Sequence, residues 1–274
     1  MDDDNPYDLL AAADEDHRWA FGTGFADPLA GVGTAIPAGV DAAALAGQCL
    51  ALGDDALIYS HRLQQWITRA PELEEETALA NIALDLLGQA RMLLTRAAQA
   101  EGRGRDEDRL AFFRDEGEFR NVRLVERADA DFAELVGRLL VFSAWRLALM
   151  RGLAQAPDPV LAAIAEKSAM ELAYHRDYAA GWVIRLGDGT EFSRAKMQAA
   201  LDTLWPLAAE LDLGGEADAF LDTVFAAAAL TRPAAPPLAT VAGKSGRDGV
   251  HTEAMGYILA ELQSVARAHP EARW

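Results

Sequence analysis

The stretch Leu79-Ala-Asn-Ile-Ala-Leu-Asp-Leu-Leu-Gly-Gln-Ala-Arg91 decides the fold, because it combines a long helical pattern with half of a metal-binding motif. In four-helix di-iron carboxylate proteins, a carboxylate and a histidine at positions i and i+3 of such a helix project into the bundle core. Here Asp85 supplies the carboxylate, but the i+3 position is Gly88, which has no side chain to bind a metal. The stretch therefore predicts a bundle whose metal site is degenerate.

A second altered pair lies 86 residues further along the chain, at Glu171 and Tyr174. The acid is again present and the i+3 position is again not histidine, although His175 follows at i+4. Two such pairs predict an all-α protein with a ferritin-like four-helix bundle that does not hold iron in the usual way.

Two further inward positions follow from the pairing of the helices. Asp55 lies 30 residues before Asp85, and Ser143 lies 28 residues before Glu171. An intact site needs four carboxylates and two histidines, so this chain lacks three of the ligands. Because an unpaired buried charge is costly, we expect a cluster of hydrogen bonds and ion pairs in place of a metal. The candidates to neutralise the acids are Arg62, Arg146 and His175.

Composition excludes several function classes. Hydrophobic residues make up 51% of the 274 residues, and valine and isoleucine are sparse, which favours helices over sheet. The net charge of −18 argues against nucleic acid as a partner. Cys49 is the only cysteine, so no intrachain disulfide can form. No uninterrupted apolar run of about 20 residues occurs, so we expect no membrane span and a cytoplasmic location.

The chain is predicted to have two parts. Residues 1–40 contain eight acidic residues and one basic residue, Arg18, and then become rich in glycine, alanine and proline. We interpret them as a flexible acidic N-terminal extension, followed by a ferritin-like helical domain at 41–274. Pro71 is placed in the first turn of the second core helix, and Ser193 is placed at the cap of the first accessory helix. The periodicity predicts four core helices at about 41–69, 71–100, 131–154 and 158–186, and about three accessory C-terminal helices at 193–211, 217–230 and 251–268.

Some interpretations stay open at this point. Asp54 and Asp55 fit either a buried site or the protein surface. A histidine on a helix, such as His61, is more often hydrogen-bonded or exposed than a metal ligand. The charged run from Arg114 to Arg120 is interpreted as a surface or interface network.

Beyond these patterns, ordered motifs from about residue 41 to the end resemble the C-type, structural subunits of phenylacetyl-CoA epoxidase complexes. The resemblance implies a ferritin-like fold and a non-catalytic chain with no active site of its own. At the position of Ser143 the subunit family often has an acid, so this serine is a further departure. The motifs are Leu52–Leu63, Pro71–Arg91, Arg114–Asn121, Tyr174–His175, Trp182–Glu191, Gly249–Glu261 and Trp274.

The same resemblance implies a set of partners. A homologous A-type subunit holds the di-iron centre and inserts one oxygen atom of dioxygen into the aromatic ring of phenylacetyl-CoA, forming a ring epoxide. A B-type subunit bridges the assembly, and a reductase component with NADPH, FAD and an iron–sulfur centre supplies electrons. Two rivals remain: an active di-iron oxygenase that uses Asp55, Asp85, Glu171 and His175, and a free-standing helical adaptor.

Overall fold

The computed structural model describes residues 29–234 and 240–272, and the regular secondary structure of these ranges is helical. Apart from one isolated bridge between Val241 and Lys244, they contain no β-pairing. Short 3₁₀ turns occur at Glu116–Glu118, Arg123–Glu126 and Gly246–Asp248. The α-helices in these ranges are α1 (Ala42–Gln64), α2 (Leu73–Glu101), α3 (Glu107–Phe112), α4 (Phe132–Leu153), α5 (Pro159–Asp188), α6 (Glu191–Ala208), α7 (Gly215–Ala227) and α8 (Glu253–Ala268).

Helices α1, α2, α4 and α5 form a four-helix bundle. Helix α1 packs along α2 and α4 packs along α5, while contacts between α2 and α5 join the two pairs. Helices α6 and α7 pack against α4 and α5, and α8 contacts α1, α3 and two of the 3₁₀ turns. The predicted all-α bundle with three accessory C-terminal helices is confirmed, and the short α3 is an addition to it. Within the described ranges, no helix combines the length and the apolarity needed to cross a membrane.

The start of α5 follows from its sequence. The side chain of Asp158 accepts a hydrogen bond from the backbone amide of Leu161 (2.8 Å), and Pro159 occupies the first turn. An aspartate cap satisfies a free backbone amide, and proline at this position loses no helical hydrogen bond. The same aspartate also pairs with the buried Arg96 of α2, so this cap joins two core helices.

Two other helix starts differ from the sequence prediction. Helix α2 begins after Glu72, whose backbone is extended, so Pro71 lies before the helix and not in its first turn. The cap of α6 is Thr190, and Ser193 is the third residue of that helix. The two side chains each accept from the other residue's backbone amide, which is the reciprocal arrangement of a capping box. Both residue types suit a cap, so composition alone does not distinguish them.

The predicted N-terminal extension is only partly described, because residues 1–28 lie outside the described ranges. Val32, Ile36 and Val40 are partly buried against the core. The carbonyl oxygen of Thr34 accepts a hydrogen bond from Arg96 (2.6 Å). These contacts tie residues 32–40 to the helical domain, and the boundary at residue 40 stays a prediction.

Candidate functional site

The centre of the bundle holds four polar residues, Asp55, Gln89, Arg146 and Glu171, which we call the central network. They lie on α1, α2, α4 and α5, respectively. The fully buried Arg146 donates from Nε to Oε1 of Gln89 (3.1 Å) and from Nη2 to the carbonyl oxygen of Leu52 (3.1 Å). Its Nη1 lies 3.9 Å from Oδ2 of Asp55. Through Gln89, which bonds to Glu171, the guanidinium connects all four core helices.

Arg146 is a cation in this position. Burial lowers the pKa of its guanidinium to about 10, and the nearby Asp55 carboxylate partly opposes that shift. A pKa of about 10 leaves the group protonated at neutral pH. Among the described residues, Nη1 has no hydrogen-bond partner. A buried positive charge at the bundle centre repels a metal cation and attracts the acids around it.

Asp55 is held by a residue that the sequence did not reveal. Arg247 donates from Nη1 to Oδ1 (3.0 Å) and from Nη2 to Oδ2 (2.7 Å), and the backbone amide of Val122 donates to Oδ1 (2.8 Å). Arg247 lies in the 3₁₀ turn before α8, so 192 residues separate the two members of this pair. Both Asp54 and Asp55 are fully buried, so the alternative of surface acids is wrong.

Glu171 finds its partners close by. It forms an ion pair with Lys167 one helical turn earlier and accepts a hydrogen bond from Nε2 of Gln89 (3.0 Å). Its side chain is 15% exposed, so this end of the central network lies near the surface. Neither Lys167 nor Gln89 was among the residues predicted to neutralise the acids. The (i, i+4) spacing of Lys167 and Glu171 is the signal that could have found the first of them.

Asp85 and His175 form a separate pair between α2 and α5. Nε2 of His175 lies 2.9 Å from Oδ2 of Asp85. The imidazole is fully buried, whereas the Asp85 side chain is 36% exposed, so this acid lies at the edge of the bundle and not at its centre. His175 therefore contacts one of the predicted acids, and its role as a compensating residue stays a prediction.

The other predicted positions do not converge on the bundle interior. Tyr174 is 53% exposed, and its ring lies beside that of Tyr178, with centroids 6.4 Å apart. Gly88 lines a surface groove, and apart from its own helix no described atom lies within 4 Å of the point where a Cβ would be. Ser143 is buried, but its hydroxyl donates to the carbonyl oxygen of Leu139 in its own helix (2.6 Å).

The interior positions lie one residue later on both helices. Gln89 and His175 are fully buried, and so are Leu86 and Leu172, three residues before them. The buried i and i+3 positions are therefore Leu86 with Gln89 and Leu172 with His175. Each residue turns a helix by about 100°, so an offset of one residue moves a side chain off the interior face. Asp85 and Glu171 therefore lie beside the interior face of each helix, with side chains that are 36% and 15% exposed, and not at its middle.

Two arginines bind partners other than those predicted. Arg62 does not neutralise the acids of the central network, because its Nε donates to the carbonyl oxygen of Glu126 (2.9 Å). The run from Arg114 to Arg120 is not simply a surface network, because Arg114 is buried and forms a two-point ion pair with Asp54 (Nη1 to Oδ2, 3.0 Å). In both cases the guanidinium binds an acceptor that is at least 60 residues away in sequence.

Glu126 is the centre of a second buried cluster that sequence reasoning missed. Its carboxylate accepts from Asn121 Nδ2 (2.9 Å) and from both the amide and the hydroxyl of Thr252 (2.7 Å each). It also contacts Nδ1 of His251 at 2.7 Å, while Nε2 of the same ring lies 3.2 Å from the carbonyl oxygen of Phe119. This cluster fastens the segment before α8 to the loop between α3 and α4.

These residues do not fit a di-iron centre. Of the four buried i and i+3 positions on α2 and α5, two are leucines, which cannot coordinate iron, and one is an amide. The positive charge of Arg146 lies between the helices that carry the acids. Within residues 29–234 and 240–272, no three His, Cys, Asp or Glu side chains are grouped to hold a metal ion. We therefore derive no reaction step through iron in this chain.

Comparison with known proteins shows the family to which this chain belongs. A family model described as phenylacetic acid catabolic protein matches residues 34–219 and 213–274. The chain is 42% identical over 246 residues to the C-type subunit of the 1,2-phenylacetyl-CoA epoxidase of Escherichia coli (strain K12), and the match covers 84% of this chain and 99% of that relative. The chain belongs to the phenylacetic acid catabolic protein family. The resemblance to the C-type subunits and the ferritin-like fold predicted from sequence are confirmed.

Proposed function

We propose that this chain is the C-type subunit of a phenylacetyl-CoA epoxidase and serves as its non-catalytic structural subunit in aerobic phenylacetate degradation. In this role it pairs with the homologous A-type subunit, which holds the di-iron centre, and stabilises that subunit. The B-type subunit bridges such pairs, and the reductase component supplies electrons. The helical domain at 41–274 carries this role, and residues 1–40 are an acidic extension to it.

The observation that carries the proposal is the position of Arg146. Its guanidinium lies where the four core helices meet, and it binds groups from α1 and α2 directly. A bridging metal would link helices at this point through acidic ligands; here a side-chain cation links them through hydrogen bonds. The bundle thus keeps its shape without a redox centre, which suits a subunit that binds partner subunits and does not itself catalyse a reaction.

The similarity in sequence supports the assignment to the C-type position in the complex. The relative's name describes one subunit of a larger enzyme, and this chain matches 99% of its length. A match of this extent supports the same place in the assembly. Among the rivals, the active di-iron oxygenase lacks the ligand set described above. The free-standing adaptor is opposed by the name of the relative.

The experiment compares the chain alone, the A-type subunit alone and the co-expressed pair. Iron content and turnover of phenylacetyl-CoA with the reductase are measured for each preparation. We expect the chain alone to be inactive and to hold no stoichiometric iron, and we expect the pair to be a stable complex that is more active than the A-type subunit alone. Tightly held iron and turnover in this chain by itself would reverse the assignment.

A further inference from the structure

A surface groove of about 990 Å³ lies between α2, α3 and α8. Its walls include Leu84 and Leu87 of α2, Phe112 and Phe113 at the end of α3, and Val265 of α8. Leu84 is 61% exposed, Leu87 40% and Val265 55%. A soluble protein seldom leaves several large apolar side chains together in a concave surface unless another molecule covers them.

The wall of the groove formed by α2 leaves room for another helix to approach. Gly88 lies in the wall beside Leu84 and Leu87, and the space where its Cβ would be is open. Because no side chain stands there, an incoming helix can approach the backbone of α2 closely.

The charges at the rim define the chemistry of the occupant. Asp106, Glu107 and Asp108 line one edge of the groove. Burial, with repulsion from Glu107 and Asp106, raises the pKa of the Asp108 carboxyl. Asp106 accepts a hydrogen bond from the backbone amide of Arg109 (2.7 Å), and Glu107 contacts Arg91 (3.4 Å). Asp108 is therefore the rim acid that is left to pair with a lysine or arginine of a partner.

The charge of the whole chain argues against a second copy as the occupant. Each copy carries a net charge of −18, so two copies repel each other over long range. A different chain whose helix carries basic residues beside an apolar stripe matches both the apolar walls and the acidic edge of the groove. Helix-in-groove binding of this kind uses anchors at i, i+3, i+4 and i+7.

We propose that this groove binds an amphipathic helix of the A-type subunit, with an apolar stripe that covers Leu84 and Leu87 and a flanking lysine or arginine that meets Asp108. The inference rests on the proposed function, because it names the surface through which the two subunits pair. It adds a position and a charge pattern to that pairing.

The apolar part is tested with L84E/L87E, in which both side chains are exposed, so the fold of the chain is retained. The matched control is L73E, because Leu73 lies on the same helix, is 72% exposed and does not line the groove. Binding of the purified A-type subunit is measured for each variant. We expect L84E/L87E to weaken binding by more than about tenfold, as loss of central apolar anchors does, while L73E binds like the wild type.

The acidic rim is tested with D108K against E166K, since Glu166 is exposed on α5 away from the groove. We expect D108K to weaken binding and to reduce its dependence on salt, while E166K leaves both unchanged.

The outcomes separate the two proposals. If L84E/L87E and L73E bind the A-type subunit equally well, the groove is not the binding surface. The proposed function would still hold. Loss of binding to the B-type subunit instead, or loss of a dimer of this chain, overturns the chosen occupant. If the wild-type chain forms no complex with the A-type subunit, both proposals fail.

Discussion

Arg146 has the function in this bundle that a bridging metal has in a di-iron protein, because it joins helices by binding groups on several of them. The two differ in energetics. A guanidinium without a full set of partners costs free energy when it is buried, so the surrounding acceptors must remain in place. Gln89 supplies one of these acceptors and passes the connection on to Glu171. The central network is therefore a unit whose members depend on one another.

The first prediction concerns this unit. Replacing Arg146 with methionine should lower the free energy of unfolding by about 3 kcal/mol or more, because Gln89 and the Leu52 carbonyl lose a buried donor. Urea denaturation with circular dichroism measures the change. The control is Arg151→Met on the same helix, whose ion pair with Glu216 is about half exposed and is worth about 1 kcal/mol at most. Equal losses for the two variants would contradict the linking role.

The second prediction concerns pH. Both ring nitrogens of His251 face acceptors, Glu126 and the Phe119 carbonyl, and a neutral imidazole has only one N–H. Burial lowers the pKa of His251, but the hydrogen bond to Glu126 and its charge outweigh burial and raise the pKa above the ordinary value. The pair therefore gives its full stability below the unfolded pKa of about 6.5 and loses it as the pH rises through the raised value.

The measurement is the thermal midpoint between pH 5 and 9 for the wild type, His251→Gln and His269→Gln. Compared with the wild type, we expect the His251 variant to have a lower thermal midpoint at low pH. We also expect its midpoint to fall less as the pH rises. The exposed His269 serves as the control and should leave the wild-type profile unchanged. A wild-type profile that the His251 variant reproduces would rule out this ion pair as its origin.

At the same scale, the site could be predicted only in part. The altered motifs led to the prediction of a polar cluster at the bundle centre, and the structure places Arg146 and Asp55 together there. The partner of Asp55 could not be predicted, because Arg247 is 192 residues away and no local pattern connects the two. The offset of one residue could not be predicted either, since the face of α2 that is buried depends on how it packs against α1 and α5.

At the level of elements, the helices were predictable because apolar residues recur at helical spacing and aspartates mark several starts. Asp158 and Pro159 gave the start of α5 directly. The short α3 and the 3₁₀ turns were not predicted, although local caps accompany α3 and two of the turns. Asp106 accepts from the backbone amide of Arg109 at the start of α3 (2.7 Å), and Asp115 with Glu118 and Ser245 with Asp248 form capping boxes. Such short elements carry too few residues for a helical repeat of apolar residues to show.

The third prediction tests the packing of an accessory helix on the bundle. A Cβ at Gly187 of α5 would lie 2.3 Å from the carbonyl oxygen of Ala228, directly after α7. Gly187→Ala should therefore destabilise the chain by about 1–3 kcal/mol, as overpacking does. The control is Gly181→Ala on the same helix, where no described atom beyond the helix lies within 4 Å. There alanine should be neutral or stabilising by up to about 1 kcal/mol. Unfolding curves that shift alike for the two variants would contradict the close approach of α7.

At the level of the whole molecule, the charge and the unfilled groove have the same implication. A net charge of −18 disfavours self-association, while an apolar groove of about 990 Å³ favours association with something else. Both features suit a chain that reaches its stable state in a complex with a different subunit. The sequence predicted such a partner through the family resemblance. It could not predict the groove that we propose for it, because α2, α3 and α8 are far apart in sequence.

The fourth prediction distinguishes a partner-dependent chain from an iron-dependent one. A ligand that binds only the folded state stabilises it by about 2.7 kcal/mol at one hundred times its dissociation constant. For a chain of this size that corresponds to a rise of about 5–10 °C in the thermal midpoint. We expect the A-type subunit to raise the thermal midpoint of this chain by that amount. A label attached to this chain distinguishes its unfolding from that of the A-type subunit. We expect iron(II) under anaerobic conditions, or a chelator, to leave the midpoint unchanged, because Arg146 and the buried leucines provide no ligand set. A midpoint that rises with iron and does not respond to the A-type subunit would mean that this bundle is an iron protein and not a structural partner.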